Sequence, residues 1–296
     1  MTEKAVDVNA KEPPRNTEFG RFRRVFLSRK VVLIGVVILL LLFGMAIFAP
    51  WLAPYPPNVP VLADFLQGPS SHHLLGTDSL GRDLLSRILW GARTSLEIGL
   101  IVVAIGSVSG IVLGLLAGYY GGWVNQVIMR IIDALMAFPM IILALIVAAL
   151  LGGGMKNVII ALSIGMMPSY ARVMCGQVLS IKENDYVTAS RSLGATNWRI
   201  MFSHVFHNCL PPLIVMITMM LGSVILAEAG LSYLGIGISP PTPSWGSMIN
   251  DGQQYLLDFP IMSFAPGVFL MLAIFAFNMV GDGLRDALDP SLRGTL

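Results

Sequence analysis

Between Val31 and Pro50 the chain carries no charged side chain, a run close to the ~20 apolar residues needed to cross roughly 30 Å of hydrocarbon. Similar runs extend from about Thr94 to Gly118, Val124 to Leu151, Asn157 to Leu179, Cys209 to Leu231 and Ile261 to Leu284. These runs constrain the fold more than any other feature, because backbone in lipid must satisfy its own N–H and C=O groups. They predict an all-α, polytopic membrane protein with six transmembrane helices. Composition agrees: 55% of residues are hydrophobic and 12% are charged, against about 25% charged in soluble domains. The lipid bilayer is therefore a partner. The net charge of +2 comes with no basic patch interleaved with aromatics, so nucleic acid is not expected as one. Cys175 and Cys209 are too few for a disulfide framework.

Lysine and arginine set the expected direction. Lys4, Lys11, Arg15, Arg21, Arg23, Arg24, Arg29 and Lys30 precede the first run. With that tail inside, Arg130, Arg172, Lys182, Arg191, Arg199, Arg285 and Arg293 also fall inside, and Arg82, Arg87, Arg93 and Lys156 fall outside. The excess predicts two cytoplasmic termini. The first run is too long for a signal-peptide core and reads as a retained anchor. The resulting organisation is a cytoplasmic tail over 1–30, a first helix over 31–50, an extracytoplasmic loop over 51–93, a core over 94–284 and a cytoplasmic tail over 285–296. Residues 1–24 read as a solvated tail. Prolines 54, 56, 57 and 60 exclude regular helix early in the long outer loop, and Ser79–Trp90 reads as an interfacial helix. The polar inner segment 180–208 is where a soluble partner would dock.

Several residues within the spans have two readings. Gly106, Gly110, Gly114 and Gly118 share a helix face, suited to internal packing or to a second membrane subunit. Pro139 and Pro168 should kink the third and fourth spans. Arg130 and Asp133, three apart, can pair. Glu228, between Ala227 and Ala229, faces a polar pathway or bonds backbone at a helix junction.

Catalytic and metal signals are poor. His204 and His207 lack the glutamate of a metalloprotease motif, and the adjacent His72 and His73 point different ways. Gly106–Gly110 is not a G-x-S-x-G elbow. Gly152-Gly153-Gly154-Met155-Lys156 lacks the spacing and Ser/Thr of a phosphate loop. No catalytic residue, metal ligand or cofactor site is assigned, and the chain brings no energy source of its own.

The segment from Asp185 to Arg199 is the informative one. Lys182 to Leu193 can form a short helix that Gly194 ends in the left-handed conformation, and Thr196 or Asn197 can cap a second helix. Physics alone allows an ordinary interfacial loop or a rigid knob presented to a soluble partner.

The small residues Thr188, Ala189 and Ser190, followed by Gly194, make this segment resemble the EAA loop of permease subunits in bacterial ABC importers. The stretches Leu75–Asp83, Gly91–Leu96, Pro240–Gly246 and Gly281–Pro290 narrow the resemblance to the second membrane subunit of dipeptide/oligopeptide/nickel permeases. It departs in having Thr188 where glutamate is usual and His207 where a proline closes the motif. The resemblance implies the type I ABC importer transmembrane fold. It implies an ATPase-coupling role for Tyr186, Thr188, Ala189, Ser190, Arg191, Gly194 and Ala195, and a place for Glu228 by the pathway or its outer gate. The implied partners are a related permease in a heterodimer, two ATP-binding subunits and an extracytoplasmic substrate-binding protein. A secondary transporter or channel independent of ATP is the alternative, but it would need inverted repeats and midplane ionisable residues. An intramembrane hydrolase would need a nucleophile–base pair.

Overall fold

The computed structural model describes residues 26–288, so expectations about 1–25 and 289–296, Arg293 among them, lie outside the described residues. The helices are α1 Lys30–Leu52, α2 Leu84–Tyr120, α3 Gly122–Met136, α4 Met140–Leu151, α5 Met155–Ile181, α6 Asp185–Ser192, α7 Asn197–Tyr233, α8 Trp245–Gln253 and α9 Ile261–Leu288. Among the described residues there is no β-strand. α1, α2, α5, α7 and α9 are each long and apolar enough to cross a membrane, and α3 with α4 makes a sixth span bent by 90°.

Pro139 explains the bend. It lacks an N–H and its ring clashes with the preceding turn, so α3 stops at Met136 and α4 restarts after Pro139. The expected kink is a right-angle break. Pro168, by contrast, sits within an uninterrupted α5. α2 begins at Leu84, so part of the stretch expected as a separate interfacial helix is the opening of the span itself. Its start is fixed by Asp83, whose carboxylate accepts from Ser86 N at 2.8 Å and Ser86 Oγ at 2.7 Å. α7 also begins well before the expected Cys209. It passes through a π-helical stretch, Ile200–Phe206, and includes Pro211 and Pro212.

α5 is the central helix and α1 a peripheral one: 61% of the most apolar window of α5 is buried, against 22% for α1. α2 lies along α5 on the glycine stripe. A Cβ at Gly114 would come within 2.8 Å of Met174 Cβ, and one at Gly110 within 2.7 Å of Tyr170 Cβ. Only glycine permits that approach, so the stripe serves internal packing. The Arg130–Asp133 pair is not formed. Asp133 instead pairs with Arg172, which reaches across from α5, and Arg130 is left exposed. Arg29 pairs with Asp286 at 2.5 Å, which brings both ends of the described chain to the same side as α6.

Candidate functional site

Residues 185–199 form a short helix, a tight turn and the start of α7. Gly194 has φ +80°, Ala195 N donates to Ser190 O at 3.1 Å and Gly194 N donates to Arg191 O at 3.0 Å. This paired-bond ending is the Schellman arrangement, which satisfies carbonyls that the helix leaves open. Thr196 Oγ1 then accepts from Arg199 N at 3.4 Å and starts the next helix. The fold is pinned from below by Val187, buried among Met174, Val178, Ile200, Met201 and Val205. Burying a side chain of that size contributes about 1.5–3 kcal/mol. Asn208 Nδ2 also donates to Tyr186 Oη at 3.2 Å.

The same geometry turns other residues outward. Tyr186, Thr188, Ala189, Arg191 and Gly194 are exposed, while Ser190 and Ala195 are half-buried. Leu193 is 88% exposed and Trp198 68% exposed, with the Trp198 ring tilted against Phe202 at 4.3 Å between centroids. All seven residues singled out in this segment therefore lie on one small projecting element. Leu193, Trp198 and Phe202 add the apolar surface beside them. Trp198 and Phe202, four residues apart, share a helix face by sequence spacing, whereas nothing local marks Leu193 as exposed.

Glu228 sits in α7 and is fully buried. Ser232 Oγ donates to its Oε1 at 2.8 Å, and Ser95 Oγ, from α2, donates to its Oε2 at 3.3 Å. Each serine in turn accepts a backbone N–H: Ile238 N at 3.2 Å to Ser232 Oγ, and Trp245 N at 3.3 Å to Ser95 Oγ. Two short relays thus converge on one carboxyl group and tie α2, α7 and the first residue of α8 together. Such chains of hydrogen bonds polarise one another in a low-dielectric interior.

At the end opposite α6, Asp78 and Arg82 of the loop before α2 form a buried cluster with Arg87 from the first turn of that helix. Arg82 Nε lies 2.7 Å from Asp78 Oδ2, Arg87 Nε lies 3.4 Å from the same oxygen, and Arg82 Nη2 lies 4.0 Å from Asp251 of α8. Burial pushes the half-buried Asp251 carboxyl above the usual carboxylate range, although Arg87 and Arg82 oppose the shift. Arg87 Nη1 also donates to Pro57 O at 3.0 Å and Pro241 O at 3.4 Å, bridging the two long loops. His73, weighed above as a metal ligand, is buried with its Nδ1 3.0 Å from Asp83 Oδ1. Arg87 thereby links the stretches Leu75–Asp83 and Pro240–Gly246, noted for their resemblance, through Asp78 and Pro241.

Residues 110–294 match the family model described as the binding-protein-dependent transport system inner membrane component. Residues 17–69 match the N-terminal TM domain of oligopeptide transport permease C. The chain belongs to this family of inner-membrane permeases: it is a multi-pass, non-catalytic subunit of an ATP-driven bacterial importer, working with a partner permease and with separate subunits that hydrolyse ATP. It is 44% identical over 278 residues to the glutathione transport system permease protein GsiD of Pectobacterium atrosepticum, covering 94% of this chain and 92% of that one. It is 41% identical over 288 residues to the dipeptide transport system permease protein DppC of Alkalihalophilus pseudofirmus, covering 95% and 94%. The di/tripeptide transport system permease protein DppC of Pseudomonas aeruginosa is 44% identical over 279 residues, covering 92% of each. The fold is similar to that of a chain of the inward-facing MetNI methionine ABC transporter, with a TM-score of 0.58 at 21% identity, over 70% of this chain and 98% of that one.

Proposed function

We propose that this chain forms half of the translocation path of an importer for di- and oligopeptides, and that residues 185–199 carry ATPase motion into the helices. The observation that carries the coupling is the projecting turn at Gly194, capped on both sides and anchored by Val187, with Leu193 and Trp198 left uncovered. Tyr186, Thr188, Ala189, Ser190, Arg191, Gly194 and Ala195 belong to this contact. A rigid element is needed there, because a flexible loop would dissipate the motion. α7 grows from the turn without a break, so a displacement at Gly194 is passed along its length.

The peptide reading draws on relatives named for glutathione, dipeptides and di- or tripeptides, all short peptides. The remaining partners are a related permease in a heterodimer, two ATP-binding subunits and an extracytoplasmic substrate-binding protein. In this reading both termini and α6 are cytoplasmic, which the lysine and arginine asymmetry supports. Residues 94–284 form the core, with 180–208 as its coupling segment and the first helix added at the side. The separate family matches before residue 69 and after residue 110 support that division.

Nucleotide drives the cycle only through its differential affinity for two arrangements of the assembly. The permease supplies the two arrangements, and Glu228 belongs to an outer gate as a hydrogen-bonded tie that holds the closed one. The complete importer in proteoliposomes, supplied with its binding protein and labelled dialanine, tests the proposal. Uptake should require internal ATP and the ATPase subunits. Uptake that instead follows an ion gradient without them would favour the ATP-independent alternative.

A further inference from the structure

A cavity of about 510 Å³ opens at the end opposite α6, with Asn58, Trp90, Arg93, Glu97, Met155 and Thr242 in its wall. Its volume falls in the range of small-molecule sites, about 300–1,000 Å³. Arg93 and Glu97 are both exposed and lie one turn apart on α2, a rise of about 6 Å. Arg93 stands at the outer edge of the core and Glu97 one turn further in, where a charged side chain avoids lipid and so faces a wet path or another protein. They do not pair with each other. Arg93 instead lies over the Trp90 ring, 5.8 Å from its centroid, and Glu97 has no ion pair among the described residues. Arginine preceding glutamate is also the weaker order for such a pair on a helix.

We propose that this cavity is a subsite for a zwitterionic short peptide, with Arg93 receiving the carboxylate and Glu97 the ammonium group. The guanidinium offers paired N–H donors that match a carboxylate, and the Trp90 ring restricts where it can lie. Glu97 accepts from the ammonium without surrendering a partner. The spacing favours the shortest peptides: two extended residues span about 7 Å, close to one helical turn, whereas longer chains would have to bow outward. This inference rests on the peptide reading above.

The test uses the assembled permease–ATPase complex in nanodiscs without binding protein, with dialanine as the probe in saturation-transfer difference NMR. Dialanine should give a signal, while N-acetyl-dialanine should bind about tenfold more weakly, as expected when one charge-assisted contact is lost. Glu97→Gln should weaken dialanine binding by a similar factor and erase the difference between the two probes. Equal signals from both probes, or an unchanged signal in Glu97→Gln, would overturn the proposal. Co-purification of Glu97→Gln and Arg93→Gln with the partner permease is measured alongside. If either variant loses its partner, the charges are a subunit contact and the subsite is wrong. If dialanine binds as described but the complete importer does not take it up, the cargo reading fails and the subsite stands. Uptake without such binding means the reverse.

Discussion

Ser232 donates a hydrogen bond of 2.8 Å to Glu228 from one turn further along α7, and so closes a buried polar link between three helices. The other carboxyl oxygen accepts from Ser95, and both serines are held by backbone N–H groups. Glu228→Gln keeps an acceptor for one serine and should retain most transport. Glu228→Ala leaves buried hydroxyls without their acceptor, a cost of about 1–3 kcal/mol, and should raise basal ATP hydrolysis or leak. Normal transport and basal hydrolysis in both variants would overturn the proposed gate role of Glu228.

Gly194 yields a prediction about strain without crowding. Nothing lies within 4 Å of where its Cβ would be, so substitution acts only through φ +80°. Valine resists this conformation strongly, whereas asparagine tolerates it better than other side chains. Gly194→Val should reach the membrane yet abolish substrate-stimulated ATP hydrolysis, and Gly194→Asn should keep a large part of it. Wild-type stimulation in the valine variant would make the segment a mere linker.

Gly114 predicts the opposite case, crowding without unusual backbone. A side chain there collides with Met174 and must push α2 from α5. Gly114→Leu should destabilise the protein by about 1–3 kcal/mol, read as a lower melting temperature in detergent. Val108→Ala, at an exposed position on the same helix, should change it little.

The pairing of Asp133 can be tested with double-mutant cycles. Both side chains of the Asp133–Arg172 pair are 50% exposed, so the coupling should be only about 0.5 kcal/mol. The corresponding cycle for Arg130 and Asp133 should give none. A reversed pattern would restore the local pair that the spacing suggested.

Features decided within a few residues were legible in the sequence. Apolar runs gave the spans, the four-residue glycine spacing gave a packing face, and Gly194 with Thr196 gave a helix end and a helix start. Features decided by tertiary contact were not. The partners of Glu228 include Ser95, 133 positions away, and Ser95 is itself held by Trp245, 150 positions away. No periodicity links them. Asp133 chose a partner 39 positions distant over one three positions away, because a neighbouring helix delivers a guanidinium that local spacing cannot foresee. The right angle at Pro139 was visible only as a kink, since a proline marks where a helix weakens but not how far the chain then turns.

In the proposed coupling, the turn at Gly194 touches the ATPase. A photo-crosslinking residue at position 193, where Leu193 is 88% exposed, measures that contact in the assembled importer. A crosslink to an ATP-binding subunit is expected, with a yield that changes between nucleotide-free and ATP-bound states. Crosslinks confined to lipid or to the permeases, unchanged by nucleotide, would contradict it.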